Sequence, residues 1–429
     1  MNGLLIFLPA LRSKNSSGIG EYLDLIPMID WCAELGLKVI QLLPINDTGD
    51  DSSPYNAMSS CALNPNYISL PEPLPKEEKF EFLRQQFHHE RPDLTSFRSQ
   101  NPWLQGDDFY CYLQQICFDQ MRHVKEYATV RGIHLFGDIP ILLSRQSVDV
   151  KSNPHLFDLS LDAGAPPDFY NLQGQHWGFP LYNWDAMRKE NFHWWKQRLK
   201  VAEQFFHMVR IDHVMGLFRM WGIPKGKKPI EGHYVPIDST LWHDQGREIL
   251  KMILTATKME PVAEDLGTVP TFVRPTLKEL GICRTVVPRW ERHWDGDKNF
   301  IPYSEYEPLS LTTVSTPDSD LIAMWWKKYP EEAAQLAKFK QWAYKPELSR
   351  EQHLELLRDS HQTPSKYHVN LLQEYLTLFP ELSWPDPETE RINIPGTVLP
   401  TNWAYRYRPA VEEITAHKPL AKAIRDLCV

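Results

Sequence analysis

The sequence predicts an α/β fold, a (β/α)₈ TIM barrel with loop and helix insertions between the strands at the C-terminal face. The chain has 429 residues, which suffices for one large barrel. Short runs rich in Val, Ile and Leu alternate along it with helical stretches. Runs that are apolar on both faces and separated by helices are typical of a parallel sheet, and eight such units favour a closed barrel over an open sheet.

Eight segments are predicted as the barrel strands. In chain order they are residues 3–11, 38–45, 133–143, 208–214, 261–266, 283–288, 311–315 and 391–395. Helices are predicted between and after them, over residues 22–35, 109–129, 191–205, 247–257, 270–280, 367–378 and 411–427. Residues 1–429 are expected to form a single catalytic barrel, with subdomains around a groove built by insertions at about 46–130, 144–190 and 291–309.

Composition argues against several classes of protein. The 46 Lys and Arg residues against 55 Asp and Glu residues give a net charge of −9, which argues against general nucleic-acid binding. No run of about 18 apolar residues is present, so no membrane-spanning helix is expected. No basic residue precedes the first apolar run, so a signal peptide is not expected either. The six cysteines lack a close CxxC pair and are interpreted as reduced thiols of a cytoplasmic protein.

Reactive side chains occur where several predicted strands end, and in a barrel of this kind the chemistry lies at those ends. Asp138 ends the third strand, Asp212 and Glu264 end the fourth and fifth, and Asp318 follows the seventh. Side chains alternate along a strand, so Arg210 shares a face with Asp212 and keeps its carboxylate ionised. Crowding by other carboxylates would raise the pKa of Glu264, as a general acid requires.

Two carboxylates about 5–5.5 Å apart would form the apparatus of a retaining glycosyl transfer, with Asp212 as nucleophile and Glu264 as acid and base. The alternative is structural, with Asp212 in a salt bridge to Arg210 and Glu264 capping the next helix. A metal-dependent hydrolase that uses Asp138, Asp212, Glu264 and His213 is disfavoured, because HxH and HExxH motifs are absent. No metal site is therefore predicted.

A loop rich in aromatic residues, PPDFYNLQGQHWGFPLYNW at 166–184, fits a sugar ligand. Aromatic faces stack on pyranose rings, and polar neighbours bind hydroxyl groups. The aromatic candidates are Phe169, Tyr170, Trp177 and Tyr182, and the polar candidates are Asp168, Asn171, Gln175 and His176. The alternative is an aromatic mini-core beneath a long loop.

At this point the sequence resembles the 4-α-glucanotransferases (amylomaltases, or disproportionating enzymes), a branch of the α-amylase clan. The resemblance runs from residue 3 to about residue 408 and rests on the order and spacing of several motifs. They are GLLIFLPAL followed by GIG, SPYNAMSSCALNPNYISL, GDIPILLSRQSVDVKSNPHLF, the aromatic loop, VRIDHVMGLFRMWGIP, VAEDLGTVP and PGTVLPTNW.

The resemblance implies a retaining enzyme that transfers a segment of an α-1,4-glucan to the 4-hydroxyl of glucose or another glucan. It implies maltooligosaccharide and α-glucan substrates, no metal and no organic cofactor, and it leaves the oligomeric state open. Asp212 matches the family nucleophile, Glu264 the acid/base, and Asp318 the carboxylate that stabilises the transition state. The residues expected to bind substrate are Arg210, His213, Asp138, Tyr55, Ser53, Gln175 and Trp177, although His213 fits a barrel histidine as well.

The sequence departs from the family pattern in three places. Pro317 stands where the family usually has a histidine before the third carboxylate, and Phe179 replaces an asparagine in the aromatic loop. The segment between the second and fourth strands is also shorter than is typical. Because Pro317 offers no side-chain donor, a weakly active glucan-binding protein remains an alternative. An α-glucan hydrolase remains another, because water competes with the sugar acceptor.

Overall fold

The computed structural model describes residues 1–14, 16–168, 171–294 and 296–428. The strands in these residues are β1 (Asn2–Ile6), β2 (Val39–Leu42), β3 (His134–Ile139), β4 (Phe157–Asp158), β5 (Leu161–Ala165), β6 (Gln175–His176), β7 (Leu181–Tyr182), β8 (Met208–Ile211), β9 (Met220–Pro224), β10 (His233–Val235), β11 (Glu260–Ala263), β12 (Cys283–Val286), β13 (Ser310–Thr312) and β14 (Tyr367–Leu371). Within the same ranges, eight parallel strands close into a barrel in the order β1–β2–β3–β8–β11–β12–β13–β14. The predicted (β/α)₈ barrel is therefore confirmed.

Helices connect the strands and cover the outside of the barrel. They are α1 (Leu25–Glu34), α2 (Lys76–Glu90), α3 (Thr95–Gln100), α4 (Asp108–Val130), α5 (Val148–Ser152), α6 (Trp184–Lys189), α7 (His193–Ala202), α8 (Met215–Phe218), α9 (Trp242–Ala256), α10 (Val273–Glu279), α11 (Ile322–Lys328), α12 (Pro330–Phe339), α13 (Arg350–His361), α14 (Leu372–Leu376), α15 (Val411–Ala416) and α16 (Lys418–Leu427). None of the described helices has the length and apolar character to cross a membrane.

The eighth predicted strand is wrong. Residues 391–395 form no strand, and β14 closes the barrel instead, within a segment predicted as a helix. All five β14 residues are buried, and the strand pairs with β1 on one side and β13 on the other. Helix α14 begins directly after β14, so strand and helix form one apolar segment in which the helical period dominates.

Proline shortens two of the predicted strands. Strand β1 stops at Ile6, and a 3₁₀ turn at Leu8–Ala10 contains Pro9. Strand β3 stops at Ile139, immediately before Pro140. Proline has no N–H for the ladder, so each strand ends before the apolar run does.

A second, antiparallel sheet lies beside the barrel in the order β10–β9–β5–β6. Strands β9 and β10 come from residues 220–235, outside the three insertions predicted from the sequence. This sheet supports the aromatic loop, because the Trp177 N–H donates to the Ala163 carbonyl at 2.9 Å and the Ala163 N–H donates to the Phe179 carbonyl at 2.7 Å. The loop is thus held on a sheet rather than being free.

Candidate active site

The strand register places the predicted carboxylates at one edge of the barrel. Strands β3 and β8 pair with Asp138 opposite Arg210. Asp212 directly follows β8, and Glu264 directly follows the neighbouring β11. The Glu264 N–H continues the ladder by donating to the Ile211 carbonyl at 3.0 Å. Three adjacent parallel strands therefore bring these side chains to the C-terminal face, where barrel active sites lie.

The Arg210 guanidinium joins the carboxylates into one cluster. Its Nη1 lies 2.7 Å from Asp138 Oδ2 and 3.0 Å from Asp212 Oδ1, and its Nη2 lies 3.1 Å from Glu264 Oε2. The Tyr55 hydroxyl donates to Asp138 at 2.8 Å and accepts from Arg210 at 3.2 Å. Burial of Asp138 raises its pKa to about 7, against the opposing effect of Arg210. A single, largely buried cation thus orients three carboxyl groups.

The surroundings of Glu264 favour its protonated form. Burial raises its pKa to about 7; Arg210 opposes this rise, and the charges of Asp212 and Asp318 add to it. Its Oε2 accepts the His213 backbone N–H at 2.7 Å as well as Arg210. Because both donors bond Oε2, a proton on this carboxyl group is accommodated by Oε1.

The backbone at His213 is unusual, with a φ of 39°, in the left-handed region that non-glycine residues rarely adopt. This conformation accompanies the hydrogen bond from its N–H to Glu264. Burial lowers the pKa of the His213 imidazole, with Arg210 adding to the effect and Asp212 opposing it. Backbone strain of this kind clusters at functional sites.

Both oxygens of Asp212 receive a donor. Oδ1 receives Arg210 Nη1, and Oδ2 accepts the Ile141 backbone N–H at 3.1 Å. One bond comes from β8 and the other from the segment that follows β3, and together they fix the plane of the carboxylate. This geometry suits a nucleophile that must meet an anomeric carbon from one direction.

Asp318 lies in a tight turn after β13. The Ser319 N–H donates to the Thr316 carbonyl at 3.0 Å, so Pro317 occupies the second position of the turn, which proline favours. Asp318 Oδ1 accepts the Asn393 side-chain amide at 2.6 Å. Burial raises the pKa of Asp318, against the effect of that bond. The residue that departs from the family pattern therefore fixes the backbone next to the carboxylate.

The aromatic loop reaches the same cluster. Trp177 packs edge-to-face on the His213 ring with centroids 5.2 Å apart, and its indole N–H donates to Gln175 Oε1 at 3.0 Å. Gly396 has a φ of 73°, and a Cβ there would stand 3.4 Å from Gln175 Cγ. The segment after Ile394 and the aromatic loop thus approach each other closely beside the carboxylates.

Other predicted residues lie elsewhere. Tyr182 does not face the cluster but is buried among Phe157, Trp184, Trp194 and Trp195, so the mini-core alternative holds for that residue. Ser53 sits in the turn before Tyr55, where its N–H bonds Asp51 Oδ1 at 2.8 Å. His176 lies 3.2 Å from Asp162, a carboxylate outside the cluster around Arg210. Phe169 and Tyr170 lie outside the described residues.

The sequence reasoning missed three groups of this site. Asn393 lies in the segment predicted as the last strand, and the backbone N–H groups of Ile141 and His213 carry no sequence signal. The signal for Asn393 was present, because an isolated amide between Ile392 and Ile394 is costly to bury in a barrel strand without a partner. Trp403, which the sequence did not single out, packs against the ring of Tyr55 with centroids 5.4 Å apart.

Comparison with known proteins identifies the family of the chain. The family model described as 4-alpha-glucanotransferase matches residues 6–97 and 85–412. The 4-alpha-glucanotransferase of Chlamydia caviae is 41% identical over 502 aligned positions, covering 99% of this chain and 94% of the relative. Since the alignment is longer than the 429 residues of the chain, part of the relative has no counterpart here. The two matched segments overlap at 85–97, from the end of α2 to the start of α3, which fits the shortening noted in the sequence.

Solved structures agree on the fold. The amylomaltase from Streptococcus agalactiae in complex with acarbose superposes with a TM-score of 0.83 at 20% identity, covering 99% of this chain and 98% of that one. The amylomaltase from Corynebacterium glutamicum gives a TM-score of 0.80 at 20% identity, covering all of this chain and 75% of that one. Family model, relatives and fold converge, and the chain belongs to the 4-alpha-glucanotransferase family.

Proposed function

We propose that the chain transfers segments of α-1,4-glucans by a retaining double displacement, with Asp212 as nucleophile and Glu264 as acid and base. The observation that carries the proposal is the Arg210-centred cluster, in which one carboxylate is fixed at both oxygens and another has a raised pKa. Retaining glycosyl transfer requires this division of roles between two carboxyl groups. The substrate class, α-1,4-glucan, follows from the family.

In the first step Glu264 donates its Oε1 proton to the glycosidic oxygen while an Asp212 oxygen attacks the anomeric carbon. The bond from that carbon to the leaving glucan breaks, and a β-glycosyl ester of Asp212 forms. Arg210 stays paired to Asp138 and balances the charge as Asp212 becomes a neutral ester. Asp318, held by Asn393, bonds the hydroxyl groups of the reacting ring.

In the second step Glu264, now ionised, removes the proton from the 4-hydroxyl of an acceptor glucan. That oxygen attacks the ester carbon, Asp212 leaves as a carboxylate, and the α configuration returns. The His213 N–H and Arg210 stabilise Glu264 between the two steps, because both bond its Oε2. Trp177 and Gln175 supply the wall against which the sugar rings pack.

Product analysis from maltotriose tests transfer against hydrolysis. We expect glucose together with a ladder of maltooligosaccharides longer than the substrate, measured by chromatography of the reaction mixture. Maltose and glucose alone would identify a hydrolase. Calorimetric binding of maltooligosaccharides without any product would identify a glucan-binding protein.

The pH dependence follows from the raised pKa of Glu264, which is about 7. The acid must be protonated in the free enzyme, so kcat/KM for maltotriose is expected to fall as the pH rises above about 7, about tenfold per pH unit. An α-maltosyl fluoride donor needs little protonation of its leaving group and is expected to lack this fall. A fall near pH 7 with both donors would assign the titration to another group, such as Asp138.

Pro317 lowers donor binding in this proposal, because the usual histidine would offer a hydrogen bond to the sugar. Pro317→His is expected to raise kcat/KM by about 2- to 10-fold, the equivalent of one hydrogen bond. Pro317→Ala is the matched control, since it frees the turn without adding a donor. An equal gain in both variants would show that turn rigidity, and not the missing donor, limits the rate.

The cytoplasmic location expected from the sequence stays a prediction. The six cysteines are unpaired, and Cys32, Cys61, Cys111, Cys117 and Cys283 are buried. Thiols in this state suit a reducing compartment. The insertions expected to form subdomains around the groove also stay a prediction for residues 46–130, 144–190 and 291–309.

A further inference from the structure

A buried carboxylate bonds both ends of the segment that contains Asp318. Glu374, in α14, is fully buried. Its Oε1 accepts the Ser315 hydroxyl at 2.6 Å and the Ile322 backbone N–H at 2.9 Å. These two donors stand at the two ends of the segment 316–321, which contains Asp318. One oxygen atom of Glu374 therefore holds the two ends of the segment 316–321 together.

The other oxygen of Glu374 is anchored to a separate helix. Oε2 lies 3.0 Å from His353 Nε2, on α13. Burial raises the pKa of Glu374, but the bonds from His353, Ser315 and Ile322 outweigh burial and lower it overall. Glu374 is thus an anion with a fixed orientation at the N-terminus of α11, which has no side-chain cap from its own N-cap residue, Leu321.

The far side of the turn is tied as well. Asp320 pairs with Arg391, and its carbonyl accepts Arg289 at 3.0 Å. Inside the turn, the Ser319 hydroxyl accepts the Thr316 N–H at 2.9 Å. Among the described residues the Asp318 carboxylate accepts one hydrogen bond, from Asn393, while the Asp318 carbonyl accepts Arg391 Nη2 at 3.4 Å. The position of the carboxylate therefore depends on the backbone around it.

We propose that Glu374 is a positioning residue of the transfer reaction, which acts through Asp318 by fixing the segment between Ser315 and Ile322. The inference rests on the proposed role of Asp318. Pro317 stiffens the same segment, because it is the second residue of the turn closed by the Ser319 N–H on the Thr316 carbonyl.

A double-mutant cycle tests this coupling, with α-maltosyl fluoride as donor so that slow variants stay measurable. Glu374→Ala is expected to lower kcat by about 10- to 100-fold, the usual cost of a small displacement. KM is expected to change little, because the bonds of Asp318 strengthen in the transition state. In the Asp318→Asn background the same substitution is expected to change kcat by less than about threefold. Equal losses in both backgrounds would overturn the proposal.

Two further variants keep the test decisive. Glu374→Gln is expected to stay within about threefold of the parent, because its carbonyl still accepts from Ser315 and Ile322 while its amide donates to His353. Ser315→Ala removes one of the two ties, and it serves if Glu374→Ala does not fold. Its smaller loss of kcat is also expected to disappear in the Asp318→Asn background; a loss that persists there contradicts the coupling.

A matched control separates coupling from loss of stability. Glu21 is another buried carboxylate, 2.5 Å from Lys79 and without a contact to the Asp318 turn among the described residues. Glu21→Ala is expected to lower the melting temperature but to affect kcat by the same factor in both backgrounds. Failure of the proposed function is recognised separately, because the parent protein would then give no products longer than maltotriose.

Discussion

Replacing Asp212 with asparagine is expected to lower the rate of glucan transfer by about 10⁴-fold or more, the scale on which loss of a catalytic nucleophile acts. An amide is a poor nucleophile at carbon. It also conflicts with its surroundings, because both Asp212 oxygens face donors, Arg210 Nη1 and the Ile141 N–H. The amide NH₂ group must point at one of them. Initial rates of product formation from maltotriose measure the loss.

The variant Asp212→Ala tests the same assignment by the formation of a new product rather than by the loss of activity. Alanine leaves space beside Arg210 for a small anion, so azide added with α-maltosyl fluoride is expected to attack the anomeric carbon directly. One displacement inverts the configuration, and the product is β-maltosyl azide. Asp185→Asn is the control, because Asp185 is an exposed partner of Arg188 and its loss is expected to leave the rate unchanged. Turnover of Asp212→Asn within tenfold of the parent contradicts the assignment.

The barrel could be predicted from the sequence because its strands are short apolar runs with reactive residues just after them. Strands β8 and β11 illustrate this, since Asp212 and Glu264 are the first residues beyond them. Strand β14 could not be recognised, because its five buried residues run directly into α14. Local periodicity cannot separate a buried strand from the helix that continues it.

The candidate site divides in the same way. Side chains whose type and position carry the chemistry were predicted, and in the structure Arg210 contacts Asp138, Asp212 and Glu264. Groups that act through the backbone could not be predicted, because any residue supplies an N–H. The hydrogen bond from the His213 N–H to Glu264 is one example, because it accompanies a positive φ that the residue type does not predict. The aromatic loop was predicted in part, since Trp177 contacts His213 at the site whereas Tyr182 packs in a core.

Replacing Glu264 with glutamine is expected to lower transfer from maltotriose by about 10²- to 10⁴-fold, the contribution of general acid–base catalysis. The control is Glu260→Gln, on the same strand β11, because Glu260 pairs with Lys366 outside the cluster. Its activity is expected to match the parent. Rates from maltotriose compare the two variants, and equal losses would mean that the strand and not the acid has been disturbed.

The same variant separates the two roles of Glu264. With α-maltosyl fluoride the first step needs no acid, so the ester of Asp212 is expected to form and, without a base to activate the acceptor, to accumulate. Mass spectrometry of a peptide containing Asp212 detects the added maltosyl group. Azide needs no deprotonation and is expected to release the sugar as α-maltosyl azide, because two displacements retain configuration. The opposite anomers from Asp212→Ala and Glu264→Gln assign the two roles independently, and the same anomer from both variants would refute the division of labour between the two carboxyl groups.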